Sequence, residues 1–60
     1  MDHETENRIE DIASEFAPTI IRRTFPGIET DEEAFMDLSL ELQGAIYDKL
    51  LDMIRERQRG

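Results

Sequence analysis

The chain has 60 residues, a net charge of −8 and no cysteine. Its length allows a single domain, and a chain this short buries too small a share of its surface to be comfortably stable alone. Without cysteine it has neither disulfides nor thiolate metal sites, so we expect oligomerisation to supply the missing burial. The negative charge disfavours binding to nucleic acid or to an anionic membrane.

The composition also bears on cellular location. No apolar run approaches the length of a membrane span, which is about 18 residues. The start of the chain, Met1 to Glu4, is acidic and opens no apolar stretch, so we expect no signal peptide and a cytoplasmic location. Fifteen acidic residues outnumber seven basic ones, and Lys49 is the one lysine. Such a balance is typical of high-salt organisms or GC-rich genomes, where the charge serves solvation.

The first helix is predicted from residues 2–17, where apolar side chains recur at helical spacing. Asp2 or Thr5 is the expected N-cap, because both side chains can accept a hydrogen bond from the first turn. The expected apolar face of this helix comprises Ile9, Ile12, Ala13, Phe16 and Ala17.

Pro18 leaves the end of the first helix open. Either the helix is kinked near Ser14 to Pro18 and covers about residues 3–23, or it stops at Phe16 and a short helix begins with Pro18. A strand over Thr19–Phe25 is the third option. It ranks last because the chain has no second strand to pair with it.

A turn is predicted over residues 25–29, where Pro26 and Gly27 form a strong turn signal. Thr30 is expected to cap the second helix, with Glu33 three residues further on completing a capping box. The second helix is predicted over about residues 31–57, a length of roughly 42 Å. The predicted fold is therefore all-α, a helical hairpin in one domain.

The second helix carries two apolar seams, which together span about twice the 100° arc that one neighbouring helix covers. The first seam is Phe35, Leu38, Leu42, Ile46, Leu50 and Met53. The second seam is Leu40, Gly44, Tyr47, Leu51 and Ile54. We expect one surface to cover the first helix and the second seam to form the interface of a homodimer, most simply a four-helix bundle. Gly44 is interpreted as a point where another backbone comes close.

No catalytic constellation is visible, and we predict no enzyme activity, cofactor or metal. Three weaker candidates have plainer structural explanations. His3 could complete a copper or nickel chelate with the Met1 amine. Arg22 and Arg23 could hold a phosphate or carboxylates, or pair with nearby acids such as Glu15 or Glu29. The acidic cluster at the start of the second helix fits capping and the helix dipole; its members are Glu29, Asp31, Glu32 and Glu33.

The predicted function is that of a small acidic interaction or regulatory module. Its apolar helix faces would bind a second copy and a further, unidentified protein, with no nucleic-acid or membrane partner. The alternative is an acidic mimic that inhibits a DNA- or RNA-binding protein, since carboxylates can imitate phosphates. Direct nucleic-acid binding through the arginines ranks third because of the net charge. In outline the hairpin resembles the dimeric bundles of the Rop family of plasmid copy-number regulators, and no motif extends this likeness to function.

Overall fold

Two long helices joined by a short turn make up residues 2–59, which are the residues that the computed structural model describes. Helix α1 spans His3–Thr24, a 3-10 turn spans Ile28–Thr30, and helix α2 spans Glu32–Arg59. These residues contain no strand. The all-α prediction is confirmed, and the arrangement is that of a helical hairpin.

Helix α1 begins at an aspartate cap. The Asp2 side chain accepts a hydrogen bond of 2.8 Å from the Thr5 backbone amide, so Asp2 rather than Thr5 is the N-cap. Hydrogen bonding by Thr5 holds the pKa of Asp2 below its ordinary value, because the bonds favour the charged carboxylate. One turn further on, Arg8 and Glu4 form an ion pair of 3.3 Å, whose exposure makes its contribution to stability small.

Helix α1 continues through Pro18 and ends at Thr24, so residues 19–24 are helical. Proline lacks a backbone N–H, which leaves the Ser14 carbonyl without its helical donor. The helix persists because the buried side chains on both sides of Pro18, those of Ala17 and Ile21, pack against α2 as one row. It ends where the Phe25 amide donates to the Ile21 carbonyl at 2.8 Å, just before the next proline.

The prediction that Thr30 caps the second helix is wrong by one residue. Thr30 belongs to the 3-10 turn, where its hydroxyl donates to the Gly27 carbonyl at 2.9 Å. Asp31 caps α2 instead, with its carboxylate accepting from the Ala34 amide at 3.2 Å. Glu33 therefore stands one position too early in the helix for the expected capping box. The Thr30 hydroxyl is engaged with the Gly27 carbonyl in the turn, so it does not cap α2.

The helices lie side by side in a single layer, and the Cα atoms extend over 43 × 19 × 13 Å. Helix α1 buries one row of side chains at spacings of four: Ile9, Ala13, Ala17 and Ile21. Helix α2 buries Ser39 and Leu51. Small side chains at the middle of the contact allow the two helices to approach closely. Ile12 and Phe16, expected on the buried face, are exposed, because α2 covers one row of α1 and no third helix covers the next.

We expect Gly27→Ala to destabilise the chain by about 1 kcal/mol or slightly more. Gly27 has a φ of 96°, which glycine adopts freely and alanine does not. Gly44→Ala is the matched control, since Gly44 lies inside α2 with open space around its Cβ position. That substitution should stabilise by about 0.5–1 kcal/mol. Urea denaturation at fixed protein concentration measures both. Shifts of the same sign would contradict the assigned backbone conformations.

Candidate functional site

The second seam runs obliquely from the surface into the hairpin. Leu40 is 63% exposed, whereas Leu51 is 7% exposed and belongs to the core. Gly44 is exposed, and Tyr47 and Ile54 are half-buried. The five residues predicted as one interface therefore do not lie on one free face, since Leu51 is buried while Leu40 and Gly44 are exposed.

Three members of the second seam meet α1 at a groove of about 390 Å³. We call it the polar groove; it is lined by Glu10, Ala13, Ser14, Leu40, Gln43, Gly44 and Tyr47. A methyl group added at Gly44 would meet no heavy atom within 4 Å among the described residues, apart from its chain neighbours and the backbone of its own helix. A close approach at Gly44 by the backbone of a second chain stays a prediction.

Carboxylates from both helices surround Tyr47. Burial raises the pKa of its phenol, and the charges of Glu6 and Glu10 on α1 and Asp48 on α2 raise that pKa further, while Arg55 lowers it. Both effects disfavour the phenolate, burial by removing water and the acids by repulsion. Tyr47 and Glu10 both line the polar groove, and the charges of Glu6 and Asp48 also act on the Tyr47 phenol.

A second surface, on the other side of the hairpin, is apolar. Ile12, Phe16 and Ile20 form a row on α1 and are 42%, 53% and 42% exposed. Beside this row Phe25 and α2 enclose a groove of about 430 Å³. We define the apolar face as Ile12, Phe16, Ile20, Phe25, Leu38 and Leu42. On a helical wheel its α2 members lie about 160° from Leu40, Gly44 and Tyr47, which places the two grooves on opposite sides.

The sequence analysis missed the apolar face, although the signal was present. The apolar residues of α1, from Ile12 round to Ile21, spread over about 180° of the helix. One neighbouring helix covers about 100°. Applied to α1 as it was to α2, the same test would have indicated that a whole row, Ile12–Phe16–Ile20, remains uncovered.

Arg22, in the last turn of α1, contacts both the connecting turn and α2. Its Nε lies 2.8 Å from Glu29 Oε1, and its guanidinium carbon lies 5.2 Å from the centre of the Phe35 ring. Of the two pairings expected for the arginines, the structure therefore forms the one with Glu29. With Asp31 serving as the cap of α2, two members of the acidic cluster have structural roles.

The remaining candidates acquire no site among residues 2–59. No three His, Asp or Glu side chains there are placed to hold a metal ion. The His3 chelate depends on the amine of Met1, which lies outside the described residues. Neither described helix is long and apolar enough to cross a membrane.

Comparison of the chain with protein-family models, with curated proteins and with solved structures finds no match. The two surfaces of the hairpin therefore have to be interpreted from their own chemistry. That chemistry comprises exposed aliphatic and aromatic carbon on one side and an acidic, aromatic groove on the other.

We expect Ser39→Ala to stabilise the hairpin by about 1 kcal/mol, because an unpaired buried hydroxyl costs about 1–3 kcal/mol. Ser39 is buried, and its hydroxyl has no hydrogen-bond partner among the described residues. Ser14→Ala, at an exposed helical position, controls for the higher helix propensity of alanine. Thermal or urea denaturation gives both values. An equal gain at the two positions would mean that the Ser39 hydroxyl carries no burial penalty.

We expect Tyr47 to titrate above pH 10 in the folded chain and at about 10 in concentrated urea. It is the one tyrosine, and the chain has no tryptophan, so absorbance near 295 nm reports this phenol alone. Because folding raises this pKa, the related stability is present below pH 10 and is lost as the pH rises through the folded value. Identical midpoints in both conditions would contradict the acidic, half-buried environment.

Proposed function

We propose that the chain is a non-enzymatic protein-interaction module with a regulatory role, which acts through its apolar helix faces and self-associates as a homodimer. The apolar face carries this proposal. Burying a large aliphatic or aromatic side chain contributes about 1.5–3 kcal/mol, whereas an exposed ion pair contributes about 0–1 kcal/mol. Three such side chains lie in one row, each 42–53% exposed. Covering them with a binding partner would contribute part of this burial free energy to the complex.

The single layer of helices in one hairpin supports a dimer built as a four-helix bundle. Each hairpin is one layer of helices, and small domains are ordinarily two layers around a shared core. Two copies packed face to face would supply the second layer and bury apolar side chains that one copy leaves in water. The surface not used in self-association remains for a protein partner.

A second candidate function is that of an acidic nucleic-acid mimic. It is favoured by the polar groove, where Glu6 and Glu10 of α1 and Asp48 of α2 act together on Tyr47. A mimic requires carboxylates from more than one element on one surface, and Glu10 of α1 and Asp48 of α2 both lie near enough to Tyr47 for their charges to act on its phenol. Its target would be a basic, nucleic-acid-binding protein held mainly by charge, so the complex would be sensitive to salt.

The two functions are separated by washing a captured partner from low salt to about 0.5 M, where screening shortens to well below 10 Å. We expect the partner to stay bound at this salt concentration. Phe16→Asp tests the apolar face and Leu40→Asp tests the exposed leucine on the other side, and we expect at least one of these baits to lose the partner tenfold or more. Asn7→Asp adds the same charge at an exposed position of α1 outside both grooves and should retain the partner. Circular dichroism checks that each bait is helical.

Release by salt, together with loss on the double substitution Glu6→Gln and Glu10→Gln, would favour the mimic. Retention by both aspartate variants in high salt would contradict an apolar mode of binding. Binding of a nucleic-acid probe by the bait itself would contradict both candidate functions.

A further inference from the structure

We propose that the apolar face is where a second copy of the chain docks, with the two α1 helices antiparallel and Phe16 on the two-fold axis. This inference rests on the proposed homodimer and names the surface that forms it. It replaces the second seam, part of which the structure places in the core of a single copy.

The total exposed surface of one copy exceeds that of a compact monomer of the same mass by about the area that one partner buries in a standard interface. A compact monomer of 7.0 kDa exposes about 4,000 Å², whereas this chain exposes 4936 Å². The excess of about 900 Å² is close to the roughly 800 Å² that each partner buries in a standard interface. Two copies can remove this excess from both hairpins at once, since a two-fold interface uses the same patch twice.

The row on α1 is its own complement. Ile12 and Ile20 stand four residues before and four residues after Phe16, so the row reads the same in both directions. When two such rows pack antiparallel, Phe16 meets its symmetry mate and Ile12 meets the partner copy's Ile20. A two-fold interface requires this self-complementarity, and a single foreign helix would not.

Charge favours this face over the polar groove. Each copy carries −8, so two copies repel one another unless their acids stay apart. Among the described residues that line the groove of the apolar face, Glu41 alone is charged. In contrast, the polar groove contains Glu10 and lies in the field of Glu6 and Asp48. Docking through the apolar face keeps these carboxylates of the two copies on opposite outer surfaces.

Single cysteines test the arrangement, since the chain has none of its own. We expect Phe16→Cys to give a disulfide-linked dimer of twice the 7.0 kDa chain mass under mild oxidation. Ile12→Cys and Ile20→Cys should each cross-link poorly alone and efficiently when mixed. The helical rise separates Ile12 from its own symmetry mate by about 12 Å along the axis, and a disulfide needs Cα atoms about 4.4–6.8 Å apart. Leu40→Cys, on the opposite side, is the control and should not cross-link.

Sedimentation of uncross-linked variants gives an independent measure. We expect Phe16→Asp to raise the dimer dissociation constant at least tenfold, while Asn7→Asp and Leu40→Asp change it less than threefold. Phe16 is half exposed in the single copy, so its substitution leaves the hairpin folded, which circular dichroism verifies.

Each contrary outcome has a distinct meaning. A wild-type mass of 7.0 kDa at high micromolar concentration would overturn both this inference and the proposed homodimer. A wild-type dimer that Leu40→Asp dissociates and Phe16→Asp does not would overturn the inference alone. Cross-linking of Phe16→Cys only when mixed with Ala45→Cys would place α1 on α2 of the other copy and overturn the two-fold arrangement at Phe16.

Discussion

The structure depends on one constraint, which is that each helix has a single neighbour. Two helices in one layer can bury one row of side chains each, and this hairpin buries Ile9, Ala13, Ala17 and Ile21 against α2. The two middle residues of that row are Ala13 and Ala17, whose small side chains bury little apolar surface. The hairpin therefore leaves most of its large hydrophobic side chains partly exposed.

The same constraint separates the surface chemistry of the two sides. The uncovered row of α1 joins Leu38 and Leu42 of α2 on one side of the layer, and the carboxylates near Tyr47 collect on the other. A layer with unlike faces can use one for assembly and present the other outward. The carboxylates of Glu6, Glu10 and Asp48 near Tyr47 therefore oppose association of two copies through that side.

The turn between the helices is stabilised by polar and aromatic contacts. Arg22 reaches from the last turn of α1 to Glu29 in the turn and lies over the ring of Phe35 in α2. Gly27 supplies the left-handed backbone, and its carbonyl accepts from the Thr30 hydroxyl. These contacts connect the turn to both helices.

The sequence by itself determined the all-α class, the turn at Pro26 and Gly27 and the second helix, because capping residues, turn residues and helical periodicity act over a few neighbouring positions. It left open whether the first helix continues through Pro18, and the structure shows that it does. The sequence also indicated correctly that α2 has more apolar surface than one helix can cover. The tertiary structure decided that Asp31 rather than Thr30 is the cap, that Leu51 belongs to the core, and that Ile12 and Phe16 do not. The cap follows from the local turn, in which the Thr30 hydroxyl donates to the Gly27 carbonyl and leaves Asp31 to accept from Ala34. The burial of Leu51 and the exposure of Ile12 and Phe16 depend on the angle and register at which one helix crosses the other, and neither quantity is encoded in the periodicity of either helix alone.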